Sequence, residues 1–182
     1  MPGSFVCATC GERHDGPALS WSVGGPYPDR PRRKRLVRPP ESGTEDQLWV
    51  AFADRSRSFL RAQLLVPVAD GPHEFAYVVW VEVTRNQMRR ARRLWNQHGR
   101  EAEPPWPVTL ATRVPGYPDT DGLAATLRQR APGIRPTVEL DDPDHPLTVE
   151  QREGITMARV AEIGRQLDAL RPARRSGPEA DG

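Results

Sequence analysis

Apolar positions along this chain recur with period two in several short stretches and with a helical period in three others. Leu60, Ala62, Leu64, Val66 and Val68 alternate with Arg61 and Gln63, which predicts a half-buried strand over 59–68. Asp70-Gly71 is a hairpin turn signal. Phe75 to Val83 is apolar on both faces, so it is expected in the middle of a sheet with a helix across it. Further strands are expected over 48–53, around Trp106, Val108 and Leu110, and over 123–130 and 134–140. Arg128 and Arg130 face Glu139 in the pairing of the last two. Two short strands are expected near the start, at Ser4-Phe5-Val6 and over Leu19, Trp21 and Val23.

Met88, Ala91, Leu94 and Trp95 form a helical stripe, and Thr84-Arg-Asn-Gln87 before it fits a capping box. A helix over 84–98, stopped by Gly99, follows. Thr148-Val-Glu-Gln151 fits a second capping box, with Gly154 as its helix stop. Thr156 then caps a longer helix with Met157, Val160, Ile163, Leu167 and Leu170 on one face. Runs of strands broken by helical regions give an α+β expectation: an antiparallel sheet packed against two or three helices, with an N-terminal Cys-x-x-Cys knuckle.

Composition changes this picture in two places. Leu, Ile, Val and Phe make up only about 20% of 182 residues, and there are 20 prolines, so the core is modest and loops are long. Residues 24–47, with prolines at 26, 28, 31, 39 and 40, are expected as a mobile basic loop inside a single domain of residues 1–170. Residues 171–182 lack apolar periodicity and are expected to be a disordered tail. The formal net charge is +2, which excludes a histone-like polycation, and Lys34 is the only lysine. No signal peptide or long apolar run is present, so a cytoplasmic protein without a membrane partner is expected.

Four constellations carry candidate chemistry. Cys7-Ala-Thr-Cys10-Gly11 has the spacing of half a zinc site; His14 would be the third ligand and His145 the fourth, with Asp15 or Asp144 behind it. Two free thiols beside an exposed histidine is the plainer reading, and redox chemistry a third. Asp141, Asp142, Asp144, His145 and Glu150 suit a divalent ion or acid–base work, but carboxylates before a helix start also simply meet its partial charge. Arginine runs at 30–38, 85–93 and 171–175 suit a phosphate-tracking patch. Solvated arginine is the preferred reading there, because stacking aromatics are not interleaved. Arg113, Tyr117, Asp119 and Arg135 surround two turns and would line a pocket, or else serve the turns themselves.

Arg113-Val-Pro-Gly-Tyr-Pro-Asp-Thr120, Pro132-Gly-Ile-Arg-Pro136 and Asp144-His-Pro-Leu-Thr-Val-Glu-Gln-Arg-Glu-Gly-Ile155 resemble the bacterial domain of unknown function family 2199. Cys7-Ala-Thr-Cys-Gly-Glu-Arg-His14 and Phe75-Ala-Tyr-Val-Val-Trp-Val81 are similar to its other hallmarks. The resemblance covers roughly residues 4 to 165 and implies no established activity. It marks Cys7, Cys10, His14, Tyr117, Asp119, Arg135, His145 and Gln151 as recurring polar positions, which adds Gln151 to the pocket set. The chain departs from the family where it carries prolines and arginines at 26–40, and Leu48 and Ala62 at positions of further cysteines. The first functional expectation is a small zinc-stabilised binding or interaction domain with an unknown partner. The alternatives are a metal-dependent enzyme using His145 with Glu150 or Asp119, and nucleic-acid binding through the arginine segments.

Overall fold

In the computed structural model the two longest apolar alternations become the two longest strands. The structure describes residues 4–6, 13–15, 19–23, 41–44, 46–51, 56–70 and 74–169. In chain order the strands are β1 (Ser4–Val6), β2 (Arg13–Asp15), β3 (Ser20–Ser22), β4 (Glu41–Gly43) and β5 (Gln47–Ala51). There follow β6 (Ser56–Pro67), β7 (Glu74–Val83), helix α1 (Arg85–Leu94), a 3-10 turn at Arg100–Ala102 and β8 (Trp106–Leu110). The chain continues through β9 (Ala124–Arg128), β10 (Thr137–Leu140), α2 (Pro146–Glu153) and α3 (Met157–Ala169).

β6 and β7 pair antiparallel along their whole length, from Ser58↔Val83 to Pro67↔Glu74. Each divides its other edge between two partners. β6 pairs with β5 up to Leu60, then Gln63 faces Thr137 of β10, in parallel. The Gln63 amide donates to the Pro136 carbonyl at 2.8 Å in that seam. β7 pairs with β3 in parallel over Ala76–Val78 and with β8 at Val81 and Glu82. Antiparallel pairs β8–β9 and β9–β10 complete the circuit. The expected antiparallel sheet packed against helices is therefore corrected: β6, β7, β8, β9 and β10 close into a mixed five-stranded barrel. Closure removes the exposed edges that an open sheet would present. β3, β4 and β5 extend from its long strands.

The barrel is filled by its own alternation. Leu60, Ala62, Leu64 and Val66 of β6 meet Tyr77, Val79 and Val81 of β7, all 0–1% exposed, with Leu110, Ala125, Leu127 and Val138 from the other strands. Each such large side chain contributes about 1.5–3 kcal/mol relative to exposure. β7 is buried on both faces, as its sequence predicts. Met88 and Ala91 of α1, Leu147 of α2, and Val160, Ile163 and Leu167 of α3 join the same core.

Thr84 caps α1 with the expected capping box, but the helix ends at Trp95, and Gly99 instead opens the 3-10 turn at φ 81°. Thr156 accepts from the Arg159 amide at 3.2 Å, the expected cap of α3. Arg128 pairs with Glu139 across β9 and β10. Two expectations, the knuckle at Cys7 and Cys10 and the tail over 171–182, lie outside the described residues; of the loop expected over 24–47, residues 24–40 lie outside them too, while Glu41–Gly43 form strand β4 and Gln47 opens β5.

Candidate functional site

The second capping box is displaced. Pro146 stands in the first turn of α2, where a missing N–H is harmless, and this puts the cap at His145 rather than Thr148. His145 Nδ1 accepts from the Leu147 amide at 3.2 Å. The proton then resides on Nε2, which donates to the Pro118 carbonyl at 2.9 Å. Both ring nitrogens of this buried imidazole are thus engaged, and a metal at either would displace one of these bonds. Thr148 lies inside the helix, and its hydroxyl is buried without a hydrogen-bond partner among the described residues. Gln151, expected in the box, turns to β10 instead: it accepts from the Leu140 amide at 2.9 Å and donates to the Val138 carbonyl at 2.8 Å.

A second link joins the 114–120 loop to α2. Tyr77, fully buried, donates its hydroxyl to Tyr117 at 3.4 Å, and Tyr117 donates to Glu150 Oε2. Arg159 of α3 donates to Glu150 Oε1 at 3.0 Å and lies 5.7 Å over the Tyr117 ring. The two tyrosine rings meet edge to face at 6.2 Å. Burial pushes the Tyr77 hydroxyl up to about 12. Burial and the bond given to Glu150 push Tyr117 above the ordinary tyrosine range. Both carboxylate oxygens of Glu150 are therefore occupied. Tyr77 and Arg159 were not among the sequence candidates. A lone tyrosine inside the apolar β7 alternation was the available signal for the first; Arg159 reads as an ordinary surface residue of α3.

The remaining candidates separate. Arg113 and Asp119 are exposed on the loop after β8. Arg135 is drawn across to Asp46, Nε to Oδ1 2.5 Å, beside the β10–β6 seam. Asp141 accepts from Thr126 of the neighbouring strand, and Asp142 accepts from the Asp144 amide at 3.1 Å in a local turn. Cys7 and Cys10 lie outside the described residues, but β1 and β2 pair with Val6 opposite Arg13 and Phe5 opposite His14. Residues 7–12 therefore join two paired strands. Among the described residues, no three His, Cys, Asp or Glu side chains converge as a metal site. No helix among them is long and apolar enough to cross a membrane.

Arg100 is only 3% exposed; it donates to the carbonyls of Trp95, Arg130, Ala131 and Ile134, and its guanidinium lies 5.2 Å over the Trp95 ring. Desolvation lowers its pKa. It fastens the 131–134 turn to the end of α1.

The outer surface of α1 is different. Arg85, Arg89 and Arg93 are exposed at i, i+4 and i+8, Arg92 flanks them, and the helix holds no acidic residue. Arg90 is paired with Glu103. Like charges at this spacing oppose the helix by about 0.2–0.5 kcal/mol per pair, and a cation in the first turn meets the dipole unfavourably by about 0.3–1 kcal/mol. A hollow of about 430 Å³ lies among Asn86, Arg89 and Arg93. A cleft of about 420 Å³ adjoins it at Arg85, lined also by Arg57, Ser58, Glu82, Thr84 and Thr109. Within it Arg57 is paired to Glu82, which raises the arginine's pKa.

Comparison with curated proteins and with solved structures finds no significant match. A family model does match, over residues 6–155. That span takes in the end of β1, all of β2, the whole barrel and α2, and it bears out the resemblance carried by the Gly-Tyr-Pro and His-Pro-Leu segments. The chain belongs to the family of uncharacterized proteins conserved in bacteria (DUF2199).

Proposed function

We propose that this chain is a small binding domain whose N-terminal hairpin is clasped by zinc, with Cys7, Cys10 and His14 as ligands. The observation that carries the binding half is the engagement of the buried His145 and the half-buried Glu150. His145 gives both ring nitrogens to Leu147 and Pro118, and Glu150 gives both oxygens to Tyr117 and Arg159. A pair so engaged holds α2 against the barrel, which weighs against an enzyme built on His145 with Glu150. Asp119, the other suggested partner, is exposed.

The zinc half is supported by topology. β1 and β2 form a sheet of their own, separate from the barrel sheet. A lone two-stranded hairpin is marginal in water, and a metal clip supplies folding free energy directly. The Val6↔Arg13 pair brackets both cysteines, and His14 follows at once. Elemental analysis of the purified full chain tests this. About one zinc per chain is expected, lost in Cys7→Ser/Cys10→Ser together with a lower Tm. Metal-free wild-type protein, or a variant with undiminished zinc, contradicts it.

A further inference from the structure

We infer that α3 is a releasable strap, and that the seat it occupies on the barrel also takes an amphipathic helix from a partner protein. The inference rests on the binding-domain reading and gives that domain a partner class.

The family match ends at Ile155, and α3 begins just beyond it, at Met157. The matched unit is tied down at its last residue. Ile155 donates to the Pro67 carbonyl and accepts from Ala69, both at 2.8 Å, and bridges in parallel to Val68. Within the unit, α2 has its own bonds: His145 to the Pro118 carbonyl, and Gln151 to Leu140 and Val138. None of these bonds passes through α3. Yet Val160, Ile163 and Leu167 of α3 are only 1–3% exposed and belong to the same core as the barrel. The matched unit therefore has an apolar surface that a helix from outside it covers, and in this chain α3 is that helix.

α3 is poorly suited to stand alone. It has 13 residues, a length at which isolated helices are marginal in water. Gly164 lies inside it, and open space surrounds the point where a Cβ would stand. Packing does not demand that glycine, and it weakens the helix relative to alanine. Released, α3 unwinds, and its seat is open.

The contacts of α3 state what the seat reads. Arg159 Nε donates to Glu150 Oε1 at 3.0 Å, and its guanidinium lies 5.7 Å over the Tyr117 ring. Glu150 and Tyr117 both belong to the matched unit. The carboxylate and the ring face select a cation, and the apolar surface takes Val160, Ile163 and Leu167 beyond it. The partner is thus a helix with an arginine followed at once by apolar residues at i, i+3 and i+7, the anchor pattern of helix-in-groove recognition.

The probe is a fluorescein-labelled peptide with the sequence of residues 155–170, titrated into the full chain and followed by anisotropy. In wild type the seat is filled, so apparent affinity is reduced by the small open fraction. Ile163→Asp/Leu167→Asp in the chain loosens the strap and should tighten peptide binding by about tenfold or more. Replacing the arginine that corresponds to Arg159 by glutamine in the peptide should weaken that binding by about tenfold. Equal affinity of variant and wild type, or indifference to the arginine, overturns the inference. Native-state hydrogen exchange of the wild-type chain decides the matter if the variant does not fold. Amides of 160–167 should exchange about 100-fold or more faster than those of β6 and β7. Equal protection makes α3 an inseparable part of the core and overturns the inference. A dimer that exchanges α3 between copies, seen by sedimentation, makes the occupant a second copy and overturns the partner class. In each of these outcomes zinc content reports on the clasp separately.

Discussion

Tyr77 has its hydroxyl inside the barrel wall and one partner for it, Tyr117, which passes the chain of bonds on to Glu150 and Arg159. The direction of each bond requires both tyrosines to stay protonated. Unfolded tyrosine ionises near pH 10, whereas folded Tyr77 resists to about 12. The folded state thus holds its proton longer. The stability this contributes is complete below pH ~10 and is lost as pH rises through about 12. Urea unfolding at pH 9, 10 and 11 should show stability falling across ~10–11 more steeply in wild type than in Tyr77→Phe. Equal slopes would show that Tyr77 is not held neutral.

Among the elements, α2 ends at a glycine that lies against the end of β6. Gly154 ends α2 at φ 85°, its amide returns to the Glu150 carbonyl, and a Cβ there would sit 3.0 Å from the Pro67 carbonyl oxygen. The next residue, Ile155, donates to that same carbonyl at 2.8 Å and accepts from Ala69. Gly154→Ala should cost about 1–3 kcal/mol, because φ 85° with ψ 171° is a backbone region open essentially to glycine alone. A fall in Tm of about 2–4 °C per kcal/mol is the expected readout by calorimetry; an unchanged Tm would mean the junction relaxes freely. The sequence made β6, β7 and α1 legible because long alternation and a capping box are local signals. It misplaced the start of α2 because Thr148 and Gln151 carry the letters of a box while Pro146, two residues earlier, dictates where the helix begins. Histidine is an uncommon cap, so its letter at 145 does not by itself mark the start of a helix.

At the scale of the whole molecule, period-two alternation told which residues face inward but not that the sheet closes. Closure depends on β6 changing partner from β5 to β10 midway, at Gln63 and Thr137, a parallel contact between distant segments that no local pattern encodes. The same closure explains the candidate site. Tyr117 and the Pro118 carbonyl are taken up by α2, Gln151 by β10, and Arg135 by Asp46. Several of the polar positions picked out in the sequence bind α2 and the loops to the barrel. His145 is where this reading meets the metal alternative most directly. Long-range ¹H–¹⁵N correlation spectra of its ring in the full chain, before and after zinc is added, should show the Nε2–H tautomer with Nδ1 unprotonated and no change on addition. A ring protonated at Nδ1, or one whose nitrogen shifts move to those of a zinc ligand, would contradict the account.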